Sequence, residues 1–204
     1  MFDHQLQKFT QKPLNVMAKM FLKIFKPNQM TIFGFIIGIF MCILVFLQFY
    51  FSALIFLTIN RLCDGLDGSM ARLSTPTPLG GYLDIVSDFI IYSGFVLAFG
   101  LSNSDYATVS IVLLFLYIGT GTTFLAKAAI QSQLINIYER TELNEEIPKS
   151  FYFSSGLIEG TETILFMVLC LLLPNFYIYL SILFGILCLI TFISRVIVCY
   201  KEFI

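Results

Sequence analysis

Long apolar runs recur along this chain and restrict its fold more than any other feature. A helix that crosses the hydrocarbon core of a bilayer needs about 20 mostly apolar residues. Six such runs lie at about 31–48, 50–71, 79–101, 106–130, 155–173 and 175–198. With 58% hydrophobic and only 12% charged residues, the chain also lies outside the composition of soluble domains. We therefore predict an all-α polytopic membrane protein with six transmembrane helices.

The first 30 residues have a different pattern from the rest of the chain. At helical spacing, one face carries apolar side chains and the opposite face carries lysines: Leu14, Met17, Phe21, Ile24 and Phe25 against Lys19, Lys23 and Lys26. This pattern is typical of a helix that lies on an anionic membrane surface, and Pro27 is expected to end it. We predict a cytoplasmic amphipathic segment over 1–30 and a membrane domain over 31–204.

Basic residues are distributed on one side of the predicted topology. The short turns at 48–52, 100–106 and 174–177 contain no lysine or arginine, and all twelve basic residues lie toward the other side. By the positive-inside rule, both termini and a charged loop at 139–149 face the cytoplasm. We expect an integral protein of a bacterial cytoplasmic membrane, with no nucleic-acid partner.

Four aspartates lie within two neighbouring predicted spans. Asp64 and Asp67 are three residues apart, and Asp84 and Asp88 are four apart, so each pair projects from one helix face. A charged group at the centre of a spanning helix costs roughly 2.5–3.5 kcal/mol on insertion scales, so such a group indicates a function. The spacing allows all four carboxylates to converge on one site.

Convergent carboxylates repel one another in a low-dielectric site unless a cation neutralises them. Oxygen ligands without histidine or thiolate favour Mg²⁺ or Mn²⁺, and a carboxylate-rich cage can hold two ions for phosphoryl displacement. Gly68 and Ala71 allow a diphosphate to approach the backbone, and Arg72 offers a fork that matches phosphate oxygens. We therefore predict two such ions and a phosphate-ester or diphosphate substrate.

A known family has this arrangement of residues. The run DGLDGSMAR from Asp64 to Arg72, followed by Gly80, Asp84 and Asp88, resembles the CDP-alcohol phosphatidyltransferase signature, DxxDGxxAR and then GxxxDxxxD. The stretch between Arg72 and Gly80 is one residue shorter than is usual. The shortening falls in a loop with two prolines, where changes in length are tolerated.

The resemblance implies a reaction and assigns roles to residues. It implies transfer of a phosphatidyl group from CDP-diacylglycerol to a small alcohol, with release of CMP. The four aspartates would hold the ions that bind the diphosphate, and Asp88 would also act as general base. Besides Asp88, the resemblance places seven further residues near the ions or the CDP moiety: Asp64, Asp67, Asp84, Gly68, Ala71, Arg72 and Gly80. It also implies nucleotide contacts from Asn28 and Thr31, and leaves a homodimer open.

The identity of the acceptor alcohol stays open at the level of sequence. Lys127 and Arg195 lie near the cytoplasmic ends of predicted spans and would suit a phosphorylated acceptor such as glycerol 3-phosphate or inositol phosphate. Glu159 and Glu162 would instead bind hydroxyls or an amine, as in serine. Snorkelling of the basic groups, or ion pairs among these four residues, would explain them without a role in binding.

Two other functional classes also place acids in membrane helices. An intramembrane prenyltransferase uses aspartates and magnesium to hold a diphosphate, but such enzymes are longer and lack the DGxxAR run. An ion or proton pathway also needs intramembrane acids. The aspartates here cluster at the cytoplasmic end of their spans, which argues against a route through the membrane.

Overall fold

The computed structural model describes residues 3–140 and 158–202, and within these the side chains of 11–133 and 158–202. The described chain is helical, with the order α1 (Asp3–Phe21), α2 (Pro27–Phe46), α3 (Tyr50–Leu73), α4 (Pro78–Ser102), α5 (Ser104–Arg140), α6 (Gly160–Leu172) and α7 (Tyr177–Glu202). A short 3-10 turn at Pro174–Phe176 leads into α7. The predicted loop at 139–149 and the predicted start of the fifth span at 155 fall largely or wholly outside the described residues.

Four described helices are long and apolar enough to cross a bilayer: Pro27–Phe46, Pro78–Ser102, Ser104–Gln133 and Pro174–Glu202. Helix α3 has 24 residues, which suffices in length, but it contains Arg61, Asp64, Asp67 and Arg72. Helix α6 is apolar and has 13 residues. The all-helical membrane architecture predicted from the apolar runs is confirmed, with four spanning helices and one shorter apolar helix identified by composition.

The N-terminal helix is shorter than the sequence predicts. Helix α1 ends at Phe21 rather than continuing to Phe25, and Pro27 begins α2 instead of ending α1. Proline fits the first helical turn because its missing N–H has no partner there in any case. The apolar side of α1 packs on protein, because Ala18 is buried in a cluster with Cys63, Leu66 and Met70 of α3.

Helices α2, α3 and α4 pack closely because glycines face their neighbours. A Cβ added to Gly34 would lie 2.9 Å from Cβ of Cys63, and one added to Gly38 would lie 2.5 Å from Cδ1 of Ile91. The side chain of Asn60 donates to the Gly34 carbonyl across 2.8 Å. These contacts fix α3 against α2, and therefore fix the aspartates of α3 relative to α4.

Gly34→Ala is expected to destabilise the protein, because Cβ of Cys63 cannot move unless the backbones of α2 and α3 separate. Overpacking of this kind typically costs about 1–3 kcal/mol. The matched control is Gly81→Ala, since no atom lies within 4 Å of a Cβ added there. Thermal unfolding in detergent should show a lower midpoint for Gly34→Ala alone. Equal midpoints for the two variants would contradict close packing at Gly34.

Aromatic stacking holds the other end of the bundle together. The rings of Phe99 and Tyr177 stack at 4.1 Å between centroids, and those of Phe166 and Phe184 stack at 4.3 Å. The Tyr177 hydroxyl lies 2.7 Å from the Ser110 hydroxyl, which satisfies a polar group that the core would otherwise isolate. These contacts join α4, α5, α6 and α7 away from the aspartates.

Candidate active site

A narrow cavity lies between α2, α3 and α4, and it contains all four predicted aspartates. Three of the lining residues come from helix α2. Helices α3 and α4 contribute all of the charged side chains and most of the polar ones. The lining residues are Thr31, Gly34, Phe35, Asn60, Arg61, Asp64, Asp67, Asp84, Ser87, Asp88 and Ile91. All four carboxylates therefore line one cavity, as the helical spacing in the sequence allows.

Three of the acids form a compact group. Asp64, Asp67 and Asp84 each offer a carboxylate oxygen, and these oxygens lie within 4.8 Å of one another. Asp67 is buried, with 6% of its surface exposed, whereas Asp84 is exposed. The group thus extends from the protein interior to the surface. Like charges this close require a compensating cation.

The fourth acid, Asp88, has protein partners on both carboxylate oxygens. Nη2 of Arg61 donates to Oδ1 across 2.9 Å, and the Tyr92 hydroxyl donates to Oδ2 across 2.9 Å. Nη1 of Arg61 also lies 3.7 Å from Oδ2 of Asp64. Arg61 therefore pairs with both Asp88 and Asp64, and all three residues line the same cavity.

Helix α2 brings the two predicted nucleotide residues to the cavity and its rim. Thr31 lines the cavity together with Asp67. Oδ1 of Asn28 lies 2.9 Å from the position of a Cβ added to Gly80, so any side chain at 80 would collide with it. The hydroxyl of Thr77 accepts from the Gly80 N–H at 3.1 Å and caps α4. Gly80 thus allows Asn28 to approach the start of α4.

Arg72 lies beyond the cavity, in the last turn of α3. It is exposed, and its Nη2 donates to the Ser69 hydroxyl across 3.1 Å. Nη1 lies 3.4 Å from a Cβ added to Gly68, so the guanidinium folds back over that glycine. Gly68 and Ala71 lie on the same part of α3 and do not line the cavity.

Two predicted acceptor residues line a separate groove between α5 and α7. The groove encloses about 520 Å³, and both Lys127 and Arg195 contribute to it. Lys127 is buried and pairs with Glu202, with Nζ and Oε2 separated by 2.6 Å. Arg195 is also buried, donates from Nη1 to the Thr120 carbonyl at 3.0 Å, and lies over the Phe124 ring.

The other two predicted acceptor residues lie at the start of α6. Glu162 accepts from the backbone N–H of Glu159 at 3.0 Å, which caps the helix. Gly160 follows Glu159, and a Cβ added there would lie 3.9 Å from the Tyr92 hydroxyl. The start of α6 is therefore adjacent to the side chain that contacts Asp88. Lys127 and Arg195 thus line the groove and Glu159 and Glu162 lie at the start of α6, and Arg195 is close enough to Glu159 for their charges to interact.

Sequence analysis missed two residues of the cavity region, Arg61 and Tyr92. The available signal for Arg61 was its position three residues before Asp64, on the same helix face and inside a predicted span. Tyr92 lies four residues after Asp88 on α4, so its hydroxyl was within reach by helical spacing. Their joint contact with Asp88 depends on how α3 and α4 pack.

The compact group of acids fits a divalent metal. Its donors are carboxylate oxygens within 4.8 Å of one another, and Mg²⁺ and Mn²⁺ both accept such donors. Arg61 supplies one positive charge to the four acids, so bound cations would have to supply the remaining compensation. The residues that would hold them are Asp64, Asp67 and Asp84, with Asp88 as the predicted fourth ligand.

The chain is similar in sequence to known proteins over most of its length. The sequence profile described as CDP-alcohol phosphatidyltransferase matches residues 24–197. Inner membrane protein YnjF of Escherichia coli (strain K12) is 41% identical over 174 residues, which are 83% of this chain and 81% of that protein. Bifunctional IPC transferase and DIPP synthase of Aquifex aeolicus (strain VF5) is 37% identical over 81 residues, 38% of this chain. The same-named protein of Archaeoglobus fulgidus is 31% identical over 90 residues, 44% of this chain. Each of these two matches covers 18% of the longer protein.

Proposed function

Because the chain belongs to the CDP-alcohol phosphatidyltransferase family, we propose that it transfers a phosphatidyl group from CDP-diacylglycerol to a small alcohol. The products would be a phospholipid and CMP. The observation that carries this proposal is the compact group of Asp64, Asp67 and Asp84, with Asp88 in the same cavity. These residues are the ones that the family signature places around a diphosphate.

In the proposed reaction, Asp88 is the general base. An alcohol is a poor nucleophile at neutral pH, so a carboxylate that takes its proton as the new bond forms lowers the barrier. The acceptor oxygen bonds to the lipid-side phosphorus, the bond from that phosphorus to the oxygen of CMP breaks, and the acceptor proton moves to Asp88. Each oxygen of Asp88 accepts one hydrogen bond from the protein and keeps a further lone pair for this proton.

The donor side of the proposed site is formed by the remaining signature residues. Bound Mg²⁺ or Mn²⁺, two ions by family resemblance, would neutralise the charge that develops on the diphosphate. Asp64, Asp67, Asp84 and Asp88 would hold these ions. The nucleotide would lie along the start of α2 and the end of α3, with contacts that we assign to these groups: Asn28, Thr31, Gly68, Ala71, Arg72 and Gly80.

For the acceptor, we propose the region from the start of α6 to the groove between α5 and α7. Lys127 and Arg195 are the groups that would bind a phosphorylated alcohol. Glu159 and Glu162 would bind hydroxyls or an amine, and they lie next to Gly160, close to Tyr92. An acceptor screen with glycerol 3-phosphate, inositol phosphate and serine distinguishes these two chemistries.

We further propose six transmembrane helices, with α3 and the region around α6 completing the four helices identified by composition. The segment 1–30 would lie at the cytoplasmic surface and 31–204 would form the membrane domain. The active site and both termini would face the cytoplasm of a bacterium, and the similarity to an inner membrane protein supports that membrane. The family resemblance also makes a homodimer a reasonable arrangement to test.

The orientation can be tested by accessibility. A single cysteine placed at Asn103, in the turn between α4 and α5, should react with an impermeant thiol reagent added outside intact cells. The background must lack the five native cysteines. A cysteine at Thr75, in the turn between α3 and α4, is the matched control and should react only after lysis. The reverse pattern would contradict a cytoplasmic active site.

The proposed reaction is tested by CMP release. Purified protein in detergent or vesicles should release CMP from CDP-diacylglycerol only when a suitable acceptor is added, with an equal amount of new phospholipid. A panel of acceptors with no CMP release, at saturating Mg²⁺ and Mn²⁺, would overturn the proposal. Turnover of a prenyl diphosphate under the same conditions would favour the prenyltransferase class instead.

A further inference from the structure

The two basic residues of the groove between α5 and α7 lie at different positions along the helix pair. Nη1 of Arg195 donates to the Thr120 carbonyl across 3.0 Å. Seven residues further along each helix, Nζ of Lys127 lies 2.6 Å from Oε2 of Glu202. Seven residues of α-helix rise about 10 Å, which is two turns. The pair of Lys127 and Glu202 therefore lies about 10 Å beyond the contact of Arg195.

Of the two basic residues, Arg195 is the one at the level of the proposed base. A Cβ added to Gly121, which follows Thr120, would lie 2.5 Å from Cε1 of Phe89, which follows Asp88. The part of α5 that Arg195 contacts is thus packed on the part of α4 that carries the base. An acceptor with its hydroxyl at the base meets Arg195 before it meets the more distant lysine.

The charge of Lys127 is compensated inside the protein. Its side chain is 4% exposed, and that of Glu202 is 15% exposed, so the ion pair is shielded from water. Separation of such a pair leaves a charge unpaired in a low-dielectric environment. A phosphate group that arrives at Lys127 has either to displace the carboxylate or to lie beside it against like-charge repulsion. Glu202 thus occupies the place on Lys127 that a phosphorylated acceptor needs.

Arg195 is engaged as well, except at one nitrogen. Nη1 is held by the Thr120 carbonyl, and the charge of the guanidinium interacts with that of Glu159. Nε is buried and donates to no acceptor among the described residues. One N–H suits a single oxygen, whereas arginine binds phosphate best with two parallel donors. In total, the acceptor region holds three glutamates and two basic residues, so its charge does not attract an anion.

We propose that the acceptor is an alcohol without a phosphate group, and that Glu202 determines this specificity by pairing with Lys127. The inference rests on the proposed function, because it names the substrate class of that same reaction. An uncharged or zwitterionic hydroxyl compound enters while both basic residues keep their partners. A phosphorylated alcohol has to separate the pair of Lys127 and Glu202, and the buried carboxylate is then left without its partner.

The first test measures binding and needs no catalysis. Calorimetry with glycerol 3-phosphate, in the absence of divalent ions, should show binding at least about tenfold tighter in Glu202→Gln than in the wild type, because Lys127 loses its anionic partner. In a Lys127→Gln background, the same change at Glu202 should improve binding by less than about threefold. The matched control is Asp105→Asn, which removes a carboxylate at the other end of α5 and should leave binding unchanged. Equal or weaker binding of glycerol 3-phosphate in Glu202→Gln would overturn the proposal.

The second test compares acceptors that differ only in phosphate. In the wild type, kcat/KM for CMP release should be at least about tenfold higher with the better of glycerol and inositol than with its phosphorylated counterpart, or serine should exceed both phosphorylated compounds by this factor. Glu202→Gln should shift the ratio toward the phosphorylated compound by about tenfold. A wild type that prefers glycerol 3-phosphate or inositol phosphate would contradict the proposal, and this result needs no variant to fold.

Failure of this inference is distinguishable from failure of the proposed function. If the wild type releases no CMP with any acceptor, the proposed reaction is wrong, and binding of glycerol 3-phosphate still decides whether Glu202 keeps phosphate from Lys127. If CMP is released and a phosphorylated alcohol is the best acceptor, the reaction stands and the inferred substrate class is wrong. If Glu202→Gln does not fold, the wild-type acceptor ratios decide the question.

Discussion

Asp88→Asn is expected to lower kcat by a factor beyond about 10², because general-base catalysis is typically worth 10²–10⁴. The asparagine side chain has nearly the same shape, so the cavity should persist and CDP-diacylglycerol should still bind in part. Single-turnover CMP release measures the chemical step, and equilibrium binding of the CDP-lipid measures the retained affinity. We expect a large loss in the rate of single-turnover CMP release and a small loss in affinity for the CDP-lipid.

The matched control for Asp88→Asn is Asp105→Asn. Asp105 lies in the first turn of α5, outside the aspartate cavity, so this change removes a carboxylate without touching the site. It should leave CMP release near the wild-type rate. Near-normal turnover in Asp88→Asn would remove the proposed base. Equal loss of CDP-lipid binding in Asp88→Asn and Asp67→Asn, without an additional turnover defect, would leave Asp88 as a ligand only.

Asp67→Asn should produce a different defect, in which binding is lost first. Asp67 is the most buried member of the compact group, so its loss removes an anionic ligand from the interior end of the cation site. We expect Mn²⁺ to bind at least about tenfold more weakly and CMP release to fall with it, since ligand charge count tunes affinity in such sites. Raising Mn²⁺ should recover part of the activity of Asp67→Asn and none of that of Asp88→Asn.

Removal of the metal ion by a chelator should also stop CMP release in the unmodified protein. EDTA should abolish CMP release, and either Mg²⁺ or Mn²⁺ in excess should restore it. Thermal unfolding with and without EDTA shows whether the lost activity reflects unfolding instead of removal of the ion. Full activity in excess EDTA would contradict a metal role for Asp64, Asp67 and Asp84, whatever the behaviour of Asp88→Asn.

Local periodicity accounts for the parts of the site that sequence analysis predicted. Asp64 and Asp67, or Asp84 and Asp88, share a helix face because about 3.6 residues make one turn, and no tertiary contact can change that. Hydrophobicity likewise determined that the long runs are membrane helices, because an apolar run of sufficient length has no better solvent than the bilayer. The apolar pattern located the ends of the helices less accurately than the helices themselves. Helix α1 stops at Phe21, although its apolar pattern continues to Phe25.

Contacts between helices account for what sequence analysis missed. Arg61 and Asp88 lie on different helices, and only the close approach of α2, α3 and α4 through Gly34 and Gly38 makes them partners. The packing of distant helices likewise decided the partners of the predicted acceptor residues, and it brings Arg195 near Glu159. Lys127 pairs with Glu202 at the end of α7, 75 positions away in the sequence, while Glu162 caps its own helix.

By itself, the sequence determined the membrane class and which acids share a helix face, because both depend on composition and on local helical spacing. Only the tertiary structure decided the partner of each charge, because a buried charge pairs with whichever group the packing of distant helices brings to it.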